Sequence, residues 1–329
     1  MKIFHRTILV QTFLLLVSGV AFAGTDPLPS WNKGAAKTTI MDFVKAVTAS
    51  GSQSYIVPAD RIAVFDNDGT LMSEQPIYYQ FLFEAVKLKE FSSMHFDLMD
   101  PFSVKNAIRN LAVSDPFGEL LTDTVTGIQK NDEEFNADVE CFINQTIHPR
   151  FNRPFVDLVY QPMLELIKYL KDNGFKVYIV TATHSEFLRL WSEKTFGIPP
   201  ENIIGSSLKA TFDLRGNQGL IKRGPAVNMI CNGADKPVAI SYSIGKKPIA
   251  AFGNSDGDIQ MLQYATSGKG LSLGLIIHHT DPEREWAYDN PSDIGQLKEG
   301  MEEAVKRGWI IVNMKNDWKV IYPFEKSDK

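Results

Sequence analysis

Arg61-Ile62-Ala63-Val64-Phe65-Asp66-Asn67-Asp68-Gly69-Thr70-Leu71 is the stretch on which the fold turns. Ile62 to Phe65 are apolar in succession, with no alternating polar residue, which suits a strand buried on both faces of a parallel sheet. The run stops at Asp66 and gives way to a polar, glycine-containing turn. In an open parallel sheet, ligands bind beyond the carboxyl ends of the strands, so a strand ending in two carboxylates places chemistry at that edge. Taken in isolation, Asp-Asn-Asp-Gly-Thr also reads as an ordinary turn, because Asx residues and glycine dominate turns. It does not continue as a calcium loop, since Thr70 and Ile77 stand where further oxygen ligands would be needed.

Two more apolar strands end in the same manner. Lys176 to Thr181 is followed by Ala182-Thr183-His184, and Ile249 to Gly253 by Asn254-Ser255-Asp256-Gly257-Asp258. A fourth strand is expected over Leu271 to His278. Helices are expected between them: Ala35 to Thr48, with Ile40, Phe43, Val44 and Val47 on one face; a stripe of Met163, Leu166, Ile167 and Leu170 closed by Asn173-Gly174; Ser185 to Thr195; Pro237 to Ile244; and Asp258 to Tyr264. Asn202 to Phe212 and Gly219 to Ile230 read as strand-rich with turns. Alternating strands and helices predict an α/β fold, a Rossmann-like, doubly wound parallel sheet covered on both faces. Residues 73–160 break the alternation with helix-like patterning, at Tyr78 to Lys89 and Val104 to Val113. They read as a second, helical domain inserted between core segments 24–72 and 161–329. Tyr78, Tyr79, Phe81 and Phe83 suit the core of that insert better than a stacking platform.

Composition sets the outer bounds. The 329 residues are 44% hydrophobic and 22% charged, which excludes disordered, collagenous and disulfide-scaffold classes. A formal charge of −5, without any basic run, argues against a nucleic-acid partner. At the N-terminus, Lys2 and Arg6 precede a short apolar run that ends in Ala21-Phe22-Ala23. This pattern predicts a secretory signal peptide over residues 1–23, cleaved after Ala23, and a periplasmic or secreted product. The run, Thr7 to Val20, is shorter than the roughly 20 residues that span a bilayer, so no stable membrane anchor is expected. Export would place Cys141 and Cys231 in an oxidising compartment, as a disulfide or as two separate thiols. The sequence does not set an oligomeric state.

Three polar strand ends gather Asp66, Asp68, Asp256 and Asp258 at one crevice, where a hard cation such as Mg2+ would relieve their mutual repulsion. In this order the motifs resemble the haloacid dehalogenase-like (HAD) hydrolase superfamily, in particular its phosphoserine-phosphatase-like branch. Asp66-x-Asp68-Gly69-Thr70-Leu71 matches its first motif, Thr181 the second, Lys236 the third and Gly253-Asn254-x-x-x-Asp258 the fourth. The resemblance implies a Mg2+-dependent phosphomonoesterase acting on a small phosphorylated metabolite, with the insert at 73–160 as its helical cap domain. Asp66 would be the nucleophile and Asp68 the acid and then base, while Thr181 and Lys236 would hold the phosphoryl group. Thr70, Ala182 and Thr183 would line the substrate site. Asp66, Asp68, Asn254 and Asp258 would form the metal set, with Asn254 standing where the family usually carries Asp. Lys222 is a rival for the lysine role. Glu74 is a candidate for binding a substrate amine or an ordinary hinge residue. His184, His278 and His279 end strands, but no third ligand for a zinc site accompanies them. No G-x-G-x-x-G follows a strand, which leaves a dinucleotide-dependent oxidoreductase unsupported. A catalytically silent, exported ligand-binding homologue is the alternative from a different class.

Overall fold

The computed structural model describes residues 26–91 and 132–326; the expected signal peptide and the helix at 104–113 lie outside them. Among the described residues the main sheet has eight strands, seven of them in the order β10 (Ile310–Asn313), β8 (Leu273–Thr280), β7 (Ala250–Gly253), β1 (Ile62–Phe65), β4 (Lys176–His184), β5 (Ile203–Arg215) and β6 (Gln218–Met229), with β9 (Ala287–Tyr288) paired to β8. The first strand, β1 (Ile62–Phe65), is fully buried and runs parallel to both of its neighbours, β4 (Lys176–His184) and β7 (Ala250–Gly253). Parallel pairing continues outward to β5 (Ile203–Arg215) on one side and to β8 (Leu273–Thr280) and β10 (Ile310–Asn313) on the other. The chain leaves β1 for β4 on one side and later returns to β7 on the other. That reversal makes β1 the switch point, with a crevice beyond its carboxyl end.

Alternate residues of β1 feed two cores. Ala63 and Phe65 pack with the buried stripes of α1 (Ala35–Thr48) and α4 (Gln161–Asp172), while Ile62 and Val64 pack with α7 (Asp235–Ile244) and α8 (Ile259–Thr266). Strands buried in this way need apolar residues at every position, which is why the run at 62–65 carries no alternation. Gly174, in the left-handed region at φ +77°, ends the α4 segment and turns the chain into β4.

The structure departs from the sequence reading in several places. The two strand-rich segments expected at 202–212 and 219–230 are the arms of one long antiparallel hairpin of β5 and β6 (Gln218–Met229), longer than read because β5 runs on to Arg215. The helix expected over 185–195 is two short ones, α5 (Ser185–Arg189) and α6 (Ser192–Phe196), broken where Trp191 turns into the aromatic core. β4 runs on to His184, and its register against β5 shifts between Thr181 and His184. The C-terminal elements β9 (Ala287–Tyr288), α9 (Glu299–Arg307), β10 and α10 (Met314–Asp317) had no sequence-level counterpart.

In the segment expected as an insert, residues 73–160, the described helices and strands are α2 (Tyr79–Phe91), α3 (Asp132–Gln145) and the two-residue strands β2 (Ile147–His148) and β3 (Arg153–Pro154). Its two ends lie side by side: Ser73 N–H donates to Leu158 O at 3.0 Å, and Tyr160 N–H to Leu71 O at 2.8 Å. Tyr79 stacks on Phe155 at 5.1 Å and meets Phe187 and Trp191 edge-on, so the insert docks on α5 and α6 through aromatic surface. Both cysteines are free thiols, Cys141 exposed and Cys231 buried.

Candidate active site

Register brings the three strand ends together. Phe65 lies opposite Ile179 on one side and Phe252 on the other, so Asp66 leaves the sheet level with Val180 and Gly253, the residues just before Thr181 and Asn254. Its backbone N–H still donates to Phe252 O at 2.9 Å, which holds the residue in line with the sheet. After it the chain turns sharply: Leu71 N–H returns to Asn67 O at 2.8 Å and Gly69 N–H to Met72 O at 2.8 Å. Gly69 sits at φ +74°, and a Cβ there would run into the Asn254 amide and the Glu74 carboxylate. Only glycine meets both conditions.

Lys236 lies in the first turn of α7, which begins two residues earlier than the Pro237 start read from sequence, and is 2% exposed. Its Nζ donates to Asp66 Oδ1 and to Asp258 Oδ1, each at 2.6 Å. The other oxygen of Asp258 accepts from the backbone N–H groups of Asn254 and Ser255 at 3.0 and 3.1 Å and from the Ser255 hydroxyl at 3.2 Å. Asp258 therefore ties the fourth-motif loop to the lysine, and both of its oxygens are engaged. Asp256 points elsewhere, accepting at 2.9 and 2.8 Å from Lys298 and Gly300 N–H at the start of α9. The rival Lys222 lies on the hairpin, paired with Asp213 at 2.6 Å.

Asp68 Oδ2 accepts from the Thr183 hydroxyl at 2.7 Å, and Thr183 N–H in turn donates to the Thr181 hydroxyl at 3.0 Å. The first and second motifs are thereby joined. Thr181 is buried, and Ala182 is half-buried beside it. Thr70 Oγ1 lies 3.5 Å from Asp66 Oδ2 and 3.0 Å from Asn254 Oδ1. Glu74 is buried against the same cluster, its Oε1 accepting from Asn254 Nδ2 and from the Tyr288 hydroxyl, both at 2.7 Å.

Charge is unbalanced here. Burial, then the charge of Asp258, pushes Asp66 up to about 8 against the opposing pull of Lys236. Burial also raises Asp68, with the hydrogen bonds from Thr183 and Asn67 offsetting part of the effect. Burial alone would lower Lys236, but the carboxylates of Asp258 and Asp66 outweigh it and hold the ammonium charged. Two buried carboxylates, Asp66 and Asp258, and the half-buried Asp68 thus face one buried ammonium, an arrangement that a divalent cation would relieve. The oxygens present suit Mg2+, which accepts carboxylate, amide and backbone carbonyl donors. Among the described residues no group of three or more His, Cys, Asp and Glu is placed to hold a metal. A cation would therefore draw on Asp66 together with the amide and backbone oxygens beside it.

Around the first-motif loop lies a polar network that sequence reasoning missed. His279 Nε2 contacts Gly69 O at 2.8 Å, and its Nδ1 lies 3.2 Å from Glu285 Oε2. Glu285 Oε1 accepts from Ser73 Oγ and Tyr160 OH, each at 3.0 Å. The position of His279 at a strand end was a signal for it; Glu285 and Tyr288, on irregular chain and a two-residue strand, offered none. His278, next along the strand, points the other way and meets Asp289 at 3.3 Å. His184 is buried, and desolvation lowers it to about 4, so its ring is neutral.

A parallel sheet of this topology, with carboxylates at the ends of β1 and β7 and a buried lysine between them, defines a class of hydrolase. The model of the haloacid dehalogenase-like hydrolases matches residues 63–263, more than half of the 329-residue chain, and the chain belongs to that family. Over 178 residues it is 26% identical to the phosphorylcholine phosphatase of Pseudomonas aeruginosa, a match covering 47% of this chain and 51% of that one. The chain thus aligns with about half the length of this curated relative. Among solved structures, a conserved protein of unknown function from Anaerococcus prevotii superposes with a TM-score of 0.52 at 16% identity, covering 84% of this chain and 91% of that one. A protein of unknown function from Bordetella pertussis gives a TM-score of 0.49 at 16% identity, covering 78% and 99%. At such identities the first likeness speaks for the fold alone.

Proposed function

We propose that the chain is a phosphomonoesterase that hydrolyses a small phosphorylated metabolite through an aspartyl-phosphate at Asp66. The observation that carries this reading is the buried contact of Lys236 with Asp66 and Asp258, two residues from a second carboxylate, at the switch point of the sheet. Asp66 attacks phosphorus as the ester P–O bond breaks, and Asp68 gives its proton to the departing alkoxide. Burial keeps that proton on Asp68 at higher pH than for an exposed carboxylate, which suits it to act first as acid. Asp68 then takes a proton from the water that attacks phosphorus, so that inorganic phosphate leaves, Asp66 is freed as a carboxylate and Asp68 regains the proton it gave up. Lys236 orients Asp66 and neutralises charge on the transferring group, and the Thr181 hydroxyl lies on the same edge to meet a phosphoryl oxygen. Mg2+, held by Asp66, the backbone carbonyl of Asp68 and Asn254, would supply charge neutralisation and orientation of the phosphate.

Assay of the full chain with p-nitrophenyl phosphate, with and without Mg2+, beside Asp66→Asn tests this. Metal-dependent release of nitrophenol that disappears in the variant is expected; undiminished activity in Asp66→Asn would remove the nucleophile assignment. Phosphorylcholine, the ester named for the Pseudomonas relative, and phosphoserine are the first physiological esters to compare. We also propose export, on the strength of Lys2, Arg6 and the Ala21-Phe22-Ala23 boundary. N-terminal sequencing of the product in the extracytoplasmic fraction should begin at Gly24. No helix among the described residues is long and apolar enough to cross a membrane.

A further inference from the structure

The residue at 254 poses a geometric problem. A carboxylate presents an oxygen whichever way it is turned, whereas an amide presents oxygen in one of its two orientations and two N–H donors in the other. An asparagine can serve a cation only if something decides which end faces it. We propose that Glu74 is that positioning residue, turning the Asn254 amide so that its oxygen faces the cation site beside Asp66. This rests on the cation-assisted phosphatase reading above.

The geometry supports it from four sides. Glu74 Oε1 accepts from Asn254 Nδ2 at 2.7 Å, which draws the nitrogen away from Asp66. The amide oxygen is left 3.0 Å from Thr70 Oγ1, the same hydroxyl that reaches Asp66 Oδ2 at 3.5 Å. Glu74 is itself pinned, because the Tyr288 hydroxyl donates to Oε1 at 2.7 Å and the Tyr288 ring is stacked on His279 at 4.4 Å between centroids. Finally, Gly69 at φ +74° and Gly295 at φ +63° flank the carboxylate, and a Cβ on either would overlap Glu74 Oε1. The chain keeps two side-chain-free positions around one carboxylate, and that carboxylate is 2% exposed. Such burial and donor occupancy make Glu74 part of the support for Asn254 rather than a free anchor for a substrate amine.

Isothermal titration of Mg2+, and separately Mn2+, into the substrate-free full chain tests this without depending on turnover. Glu74→Met keeps the length of the side chain but offers no acceptor; it is expected to weaken binding by about 10–100-fold, the usual cost of losing an outer partner of a metal ligand. Glu74→Gln keeps an acceptor oxygen and is expected to bind close to wild type. Mg2+ required for half-maximal activity should rise in Glu74→Met, with kcat largely recovered at saturating metal. Unchanged affinity in Glu74→Met overturns the proposal, and so does an equal loss in Met and Gln variants, which would make charge rather than orientation the cause. If Glu74→Met does not fold, Tyr288→Phe carries the test: a several-fold loss is expected, and wild-type affinity overturns it. The two readings fail differently. A wild-type chain that neither binds Mg2+ nor releases phosphate defeats both, while a metal-dependent wild type with an indifferent Glu74→Met defeats only the role of Glu74.

Discussion

Replacing Lys236 by methionine would remove the ammonium that lies 2.6 Å from both Asp66 and Asp258 while preserving most of the side-chain volume. All three groups are buried, so the carboxylates cannot recover the lost interaction from water. Breaking a buried ion pair by removing one partner costs about 3–5 kcal/mol, and roughly 2–4 °C of Tm accompanies each kcal/mol in a larger domain. A fall of roughly 10 °C at pH 8 is therefore expected. The loss should also depend on pH, with a definite sign. Without the lysine, Asp66 holds its proton more firmly in the folded chain at pH values where the unfolded chain, with Asp near 3.8, has released it. The folded state then binds more protons across that interval, and stability rises as pH falls from 8 toward 5. Wild type shares this trend through Asp66, which titrates at about 8, so the variant should show a steeper slope than wild type. Thermal unfolding at a series of pH values measures it, and Lys236→Met/Asp258→Asn should regain stability without regaining turnover. Loss of kcat by at least about 10²–10³-fold is expected, since preorganised charge at the reacting group is removed. A stability loss below about 1 kcal/mol, or one that does not change between pH 8 and 5, would refute the reasoning.

Asp66→Asn should abolish turnover yet raise Tm or leave it unchanged, because it removes a carboxyl that burial first, then repulsion from Asp258 and Asp68, disfavours as a charge, while Lys236 keeps Asp258 as its partner; calorimetry beside the phosphatase assay checks both. Gly69→Ala should lose about 1–2 kcal/mol from left-handed backbone strain alone, and more from contact with Asn254 and Glu74; urea unfolding and Mg2+ titration should fall together. His148 is buried and held neutral, lowered to about 4 first by desolvation, with Arg150 N–H donating to its Nδ1 at 3.1 Å. Because its folded value lies below the unfolded 6.5, stability should be complete above pH 6.5 and fall by roughly 3 kcal/mol as pH drops to 4; His148→Asn, which keeps the acceptor, should show a shallower acid slope, and an unchanged slope counts against the assignment.

The parts of the site that sequence reading reached are those written next to their strands. Asp66, Asp68 and Thr70 follow β1 directly, Thr181 and Thr183 lie in β4, and Asn254 and Asp258 follow β7, so a buried apolar run announces each of them. Lys236 was harder, because the signal for its helix began at Pro237 and a second lysine competed for the role. Glu285 and Tyr288 were out of reach. They come from chain with little regular structure, and their importance arises from contacts with Ser73 and Glu74 more than 200 residues earlier, such as the 212-residue separation between Ser73 and Glu285.

The sequence by itself determined the α/β class, the strand ends that carry the chemistry and the order of the motifs, because hydrophobic periodicity and turn residues act over a few neighbours. Only the tertiary structure decided how the charges are shared. It showed that Asp258 holds Lys236, that Asp256 holds the start of α9 instead, and that Glu74 faces Asn254. Those outcomes depend on which polar groups meet out of water. Burial removes the solvent that would otherwise satisfy each group alone, and the pairing that remains is set by the packing of the whole sheet.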